Sequence, residues 1–184
     1  MGNWCFNYIT VEGPSDEINR FKKTCLRDER IDFDRIIEMP DQFKVGGKDV
    51  WDETLGTDGL DARNAWAKEN WGTTGIRDWQ VDEDTPERYK FRVYTSWFPP
   101  LPVLEKLVKM FPALTFNICG GALASPPEWT YKVEIKDDQF LVWDTSAETW
   151  AQFEAEEAVK RERGEGSLEG FLEDAEAGRT SRRE

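Results

Sequence analysis

Apolar positions along this chain follow two periods, and the switch between them marks out the elements. From Trp4 to Val11 they alternate, with Trp4, Phe6 and Tyr8 on one face and Cys5, Asn7, Ile9 and Val11 on the other. That pattern predicts a strand, ended by Gly13-Pro14. The period then becomes helical: Ile18, Phe21, Cys25 and the adjacent Leu26 form one stripe, Ser15 stands at the N-cap, and the helix fades near Asp28. A short apolar segment follows, with Phe33, Ile36 and Ile37 ended by Pro40, and residues 40–60 read as loop. Asp61 to Asn70 suits a short helix broken by Trp71-Gly72-Thr73-Thr74-Gly75. Ile76 to Val81 suits a short strand, and Val81 to Glu87 an acidic loop.

The second half is more regular. Tyr89 to Trp97 alternates as a strand, with Phe91, Val93 and Thr95 opposed to Arg92 and Tyr94, and Phe98-Pro99-Pro100 stops it. A helix starts within Pro99 to Pro102, carries Leu104, Leu107, Val108 and Phe111, and ends at Pro112. Leu114 to Cys119 is a strand, Gly120-Gly121 a turn and residues 122–128 a loop. Trp129 to Ile135 and Gln139 to Trp143 pair as a hairpin about Lys136-Asp137-Asp138. Beyond it, Ser146 to Arg163 predicts a charged helix with Trp150 and Phe153. A second short helix spans Ser167 to Ala177, and a disordered tail closes the chain.

The order strand, helix, insertion, strand, helix, strand, strand predicts an α+β fold of ferredoxin-like, split βαβ type. Two helices cover one face of an antiparallel sheet. Residues 1–145 form this domain, with the insertion at about 40–88, and residues 146–184 form an acidic helical extension.

Composition narrows the chemistry. Apolar residues at 39% with nine Trp give material for a core. The chain lacks an apolar run long enough to span a membrane and a visible signal peptide, so a cytoplasmic protein is expected. Cys5, Cys25 and Cys119 include no CxxC pair and read as reduced thiols. There is no His, which removes the commonest general base and the commonest transition-metal ligand. No catalytic set, cofactor or metal is expected. Net charge is −13, and residues 41–90 and 146–184 together supply −10 of it. Such a field repels phosphate backbones and favours a basic partner.

Four segments carry a family resemblance: Asn3-Trp4-Cys5-Phe6-Asn7; Ile31-Asp32-Phe33-Asp34 with Ile36-Ile37 and Met39-Pro40; Asn70-Trp71-Gly72-Thr73; and Thr95-Ser96-Trp97-Phe98-Pro99-Pro100. In this order they resemble the YubB ferredoxin-like domain family, over roughly Met1 to Ile135. Members are small proteins encoded by plasmids and phages. The resemblance implies the fold and a mobile-element origin. It implies no reaction and no catalytic residue set.

Candidate sites follow from patterns of residue type. Trp4, Phe6 and Tyr8 suit base stacking on an open sheet face, as in RRM-like single-strand binders. The acidic balance argues instead that the insertion or the C-terminal helix covers them. Asn70 to Gly75 offers hydroxyls and amides for an anion but lacks the lysine of GxxxxGKS/T. Trp97 to Pro100 reads as a strand-to-helix corner with Trp97 packed beneath, and otherwise as a docking edge. Asp78, Asp82, Glu83, Asp84 and Glu87 lack the calcium spacing DxDxDG, and Asp49, Asp52, Glu53, Asp58 and Asp61 are likewise scattered. Together with Glu154, Glu156 and Glu157 of the extension, the first five could imitate DNA phosphates. The expected function is a non-enzymatic binding protein of a mobile element, acting by protein contact. Its partner would be a host protein with a basic nucleic-acid-binding surface, such as a nuclease or a CRISPR-type defence complex. The alternative is single-strand nucleic-acid binding.

Overall fold

The computed structural model describes residues 4–44, 56–123, 129–136 and 139–148, together with positions 151, 152, 155 and 159. The elements are β1 (Trp4–Glu12), α1 (Ser15–Cys25), β2 (Leu26–Arg27), β3 (Arg30–Ile31), α2 (Gly56–Trp71), β4 (Ile76–Asp84), β5 (Arg88–Ser96), α3 (Leu101–Met110), β6 (Thr115–Ala122), β7 (Thr130–Lys136) and β8 (Gln139–Asp144). Short 3-10 turns at Phe33–Arg35 and Asp41–Phe43 lie between β3 and α2. One antiparallel sheet of six strands runs in the order β4-β5-β1-β6-β7-β8, and β2-β3 is a separate ribbon. The protein is therefore a mixed α+β structure with an open sheet. Among the described residues, no helix is long and apolar enough to cross a membrane.

Core formation follows the alternation in β1. Cys5, Asn7, Ile9 and Val11 are buried, and their face is joined by Phe91 and Val93 of β5 and Phe116 and Ile118 of β6. The apolar stripes of α1 (Ile18, Phe21, Cys25) and α3 (Val103, Leu104, Leu107) close over it. Ala67 and Trp71 of α2 and Phe33 and Met39 of the preceding segment extend the same cluster. Asn7 and its partner Thr95 are fully buried polar residues beside this core. Asn7 Nδ2 donates to Val93 O at 2.9 Å and Thr95 Oγ1 at 3.2 Å, and Asn7 Oδ1 accepts from the Tyr131 hydroxyl at 2.7 Å. A buried amide is tolerable only when satisfied in this way.

Several boundaries differ from the sequence expectation, each for a local reason. Ser15 is already helical; Pro14 is the N-cap, with no side-chain cap bond. The first helix stops at Cys25 because Asp28 and Glu29, at φ 51° and 64°, form a two-residue mirror-type turn joining β2 to β3. The second helix begins at Gly56, ahead of Asp61. Gly120-Gly121 is not a turn: β6 runs through both. A Cβ on Gly120 would sit 2.3 Å from Phe6 O and 2.7 Å from the Tyr131 ring, so glycine here makes room for neighbours inside a strand. The expected acidic loop from Val81 is largely strand, since β4 continues to Asp84. Register shifts at Ile76/Asp78 and Val81/Glu83 break its alternation. In the C-terminal extension, residues 146–148 and 151–152 are helical, and the proposed second helix lies outside the described residues.

Candidate functional site

The face of the sheet opposite the core is the first candidate surface. Phe6 lies opposite Tyr94, Tyr8 opposite Arg92 and Thr10 opposite Lys90, so β1 and β5 present one continuous group of side chains. Trp4 and Tyr94 have ring centroids 6.3 Å apart, Phe6 and Tyr8 meet edge-on at 5.4 Å, and the Arg92 guanidinium lies 5.8 Å over the Tyr8 ring. The pairing continues sideways: Gln80, Arg92, Tyr8, Cys119, Lys132 and Trp143 form one row across all six strands. Trp4 and Tyr8 are 37% and 36% exposed. Of the insertion expected to cover this triplet, α2 packs Ala67 and Trp71 into the core on the other face, and residues 45–55 lie outside the described residues. Trp150 and Phe153 lie outside the described residues.

The acidic residues singled out by sequence are mostly engaged at home. Asp82 accepts from Arg92 Nε at 3.0 Å and Nη2 at 2.6 Å, which holds the Arg92 guanidinium further into its charged form. Glu83 is 3.7 Å from Arg88 Nε, and Asp84 is paired with Lys22. Asp78 Oδ1 accepts from the Trp79 amide, and Glu87 is exposed. The bulge at Val81/Glu83 leaves Asp82 beside Arg92, whose register partner is Gln80, and Glu83 faces Lys90, whereas Asp84 faces Tyr89 and reaches Lys22 of α1. Asp49, Asp52, Glu53, Glu154, Glu156 and Glu157 fall outside the described residues. Asp58 and Asp61 sit on α2. Among the described residues, no group of three or more His, Cys, Asp or Glu could hold a metal ion.

The four segments that carry the family resemblance meet in space. Trp71 Nε1 donates to Ile37 O at 2.9 Å, and the Trp71 ring meets Phe33 edge-on at 5.8 Å. Thr73 Oγ1 donates to Ser96 O at 2.8 Å. A Cβ on Gly72, at φ 79°, would lie 2.8 Å from Pro99 O and 2.9 Å from the Pro102 ring. Asn7 reaches Thr95, whose hydroxyl donates to Phe98 O at 2.8 Å. The chain at Trp97 is thus held from three sides in a strained form. Trp97 has φ 70°, and Phe98 N donates to Ser96 O at 2.8 Å, so Trp97 is the centre of a γ-turn of the rare left-handed kind. The expected corner is present, but Trp97 is not packed beneath it: Trp97 and Phe98 are 52% and 57% exposed.

A cleft of about 1130 Å³ opens beside this corner, between α2, the β2–β3 ribbon and the ends of β4 and β5. Its lining includes the cations Arg27, Arg30, Arg63, Lys68 and Arg77 against the acids Asp28, Asp32 and Asp61. Arg27 Nε is 2.7 Å from Asp32 Oδ2. Buried Arg63 donates from Nη1 to Thr74 O at 2.9 Å, and Arg77 Nε donates to Ser96 Oγ at 2.5 Å. Thr74 and Gly75 of the Asn70–Gly75 segment line the cleft. Sequence reading missed its cations because they come from four elements and share no spacing. Comparison with family models, curated proteins and solved structures finds no match to this chain.

Proposed function

We propose that this is a non-enzymatic binding protein of ferredoxin-like type that works by contact with a protein partner through its open sheet face. The observation that carries the reading is the group of exposed Trp4 and Tyr8 with half-buried Phe6, Tyr94 and Arg92 on the two central strands. Trp, Tyr and Arg are the residues that dominate binding energy at protein interfaces, and charges of both signs at the rim are typical of them. Asp78, Asp82 and Glu83 with the neighbouring Lys90 on one side and Lys132 on the other supply that rim. The net charge of −13 selects a partner with a basic surface. The strand order β4-β5-β1-β6 supports the ferredoxin-like reading, with β7-β8 as an added hairpin. Contact among the four resembling segments supports the kinship with YubB proteins. On that reading the partner is a host protein that handles nucleic acid, such as a nuclease or a defence complex. The pairing of Asp82, Glu83 and Asp84 with bases leaves these acids a weak imitation of phosphates, so the aromatic group takes over as the contact surface.

A second reading is single-strand nucleic-acid binding on the same face. It is favoured by the ring positions on β1 and β5, the strands that carry stacking rings in RRM sheets. Nuclease-treated host lysate passed over the immobilised protein at low and high salt tests the first reading. Capture of a basic protein that is lost at high salt and in the Trp4→Ala/Tyr8→Ala variant is the expected result. Capture unchanged by that variant would overturn the assignment of the face. A gel shift with single-stranded oligomers, abolished by the same variant, would favour the second reading.

A further inference from the structure

We propose that the cleft between α2, the β2–β3 ribbon and the Ser96-Trp97 corner binds a nucleotide, its phosphate held by the lining cations and its base stacked on Trp97. The cleft shares no residue with the aromatic sheet face, so the inference stands apart from the proposed partner contact.

Two independent features point to this ligand. The first is charge. A chain with 37 acidic and 24 basic residues nonetheless sets Arg27, Arg30, Lys68 and Arg77, beside the engaged Arg63, against Asp28, Asp32 and Asp61 among the described residues around one concavity. Asp32 is already matched by Arg27. Lys68 and Arg30, on opposite walls, have no carboxylate within ion-pair distance among the described residues. Arg77 is held in place by Ser96 Oγ. Cations that line one concavity without a carboxylate partner suit a phosphate. The second feature is the strained backbone at Trp97. A bulky residue in the left-handed region is uncommon, and such strain concentrates at ligand sites. Here it holds a half-exposed indole at the lip of a cationic cleft, where a planar base can stack. The cleft volume of about 1130 Å³ is slightly above the range of small-ligand sites, which run to roughly 1,000 Å³, so it has room for a nucleotide. The surrounding negative charge opposes a long polyanion, so a free nucleotide is favoured over a strand.

The test is equilibrium dialysis of the full chain against four probes: adenosine monophosphate, adenosine, inorganic phosphate and a short single-stranded oligodeoxynucleotide. The mononucleotide is expected to bind saturably, and adenosine and phosphate each at least about tenfold more weakly. Arg30→Glu/Lys68→Glu changes two exposed side chains, leaves the core intact and should weaken mononucleotide binding by about tenfold or more. Trp97→Gly accepts the observed φ without strain and should weaken it by roughly tenfold through loss of stacking. Tighter binding of the oligomer, lost in the same variants, would support the site and assign the nucleotide to a strand. Absence of mononucleotide and oligomer binding, or binding that both variants leave unchanged, would overturn the proposal.

Discussion

The backbone at Trp97 permits a clean measurement, because two substitutions that remove the same ring should differ in stability by the cost of the turn. Trp97 is 52% exposed, so about half of an indole's ~200 Å² is buried; at ~25 cal/mol per Å² its loss costs at most about 2.5 kcal/mol. That term is common to Trp97→Ala and Trp97→Gly. The backbone term is not. At φ 70° a residue with a Cβ is disfavoured by about 1–2 kcal/mol, and glycine is not. Glycine gives back about 0.4–1 kcal/mol through its freer unfolded chain. The Gly variant should therefore be the more stable of the two by roughly 1 kcal/mol, the reverse of the usual order. Urea unfolding followed by circular dichroism measures this as a midpoint about 0.5 M higher at unchanged slope, for a slope near ~2 kcal/mol per M. An Ala variant as stable as the Gly variant, or more so, would show that the turn relaxes when the ring is removed, and the strain argument would fall.

Three further outcomes follow from the core. Asn7→Ala orphans the Tyr131 hydroxyl and should cost about 3 kcal/mol; Tyr131→Phe should cost about 1–2 kcal/mol, and the double variant less than their sum, all by urea unfolding. Gly120→Ala forces a Cβ against Phe6 O and Tyr131 and should lose about 3 kcal/mol or more, read as a fall in Tm or in soluble yield. Burial pushes the Cys5 and Cys25 thiols from 9.0 up to about 12, so the unfolded chain ionises first. The stability these thiols contribute is whole below pH 9 and is lost as pH rises towards 12, at about 1.4 kcal/mol per pH unit for each thiol. Cys5→Ala/Cys25→Ala should flatten that decline.

The central strands and both covering helices were legible because each carries an unbroken period. β1 and β5 alternate, and α1 and α3 repeat at helical spacing, so Ile9, Val11, Ile18, Phe21, Phe91, Val93, Leu104, Leu107 and Phe111 could be assigned to the core in advance. β4 was legible only in its first half. Two register shifts disturb its alternation, and acids at Asp82, Glu83 and Asp84 imitate loop composition. Their reason for being there lies in another element: Arg88 and Arg92 of β5 and Lys22 of α1 complete pairs that no single segment announces. Gly120-Gly121 misled for the converse cause, since the need for glycine comes from Tyr131 of the neighbouring strand. The cleft was illegible altogether. Its cations are spaced from Arg27 to Arg77, and only the docking of α2 and the ribbon against the β5 corner brings them together.

Net charge and local charge therefore answer different questions here. The acidic total governs what approaches from beyond a Debye length, about 8 Å at physiological ionic strength, and there it opposes long polyanions and favours basic surfaces. Within that distance a ligand meets only the side chains beside it. On the β4–β5 hairpin those are acids already matched by Arg88 and Arg92, so the most acidic stretch of sequence presents less free negative charge than its composition suggests. In the cleft they are cations only partly matched. Two consequences follow from one distribution. On the proposed readings, a macromolecular partner is selected by the far field and held by the aromatic face, whereas a nucleotide in the cleft escapes the far field once it enters. Added salt should accordingly weaken the partner contact far more than it weakens nucleotide binding, because screening acts on the first and leaves the near contacts of the second largely intact.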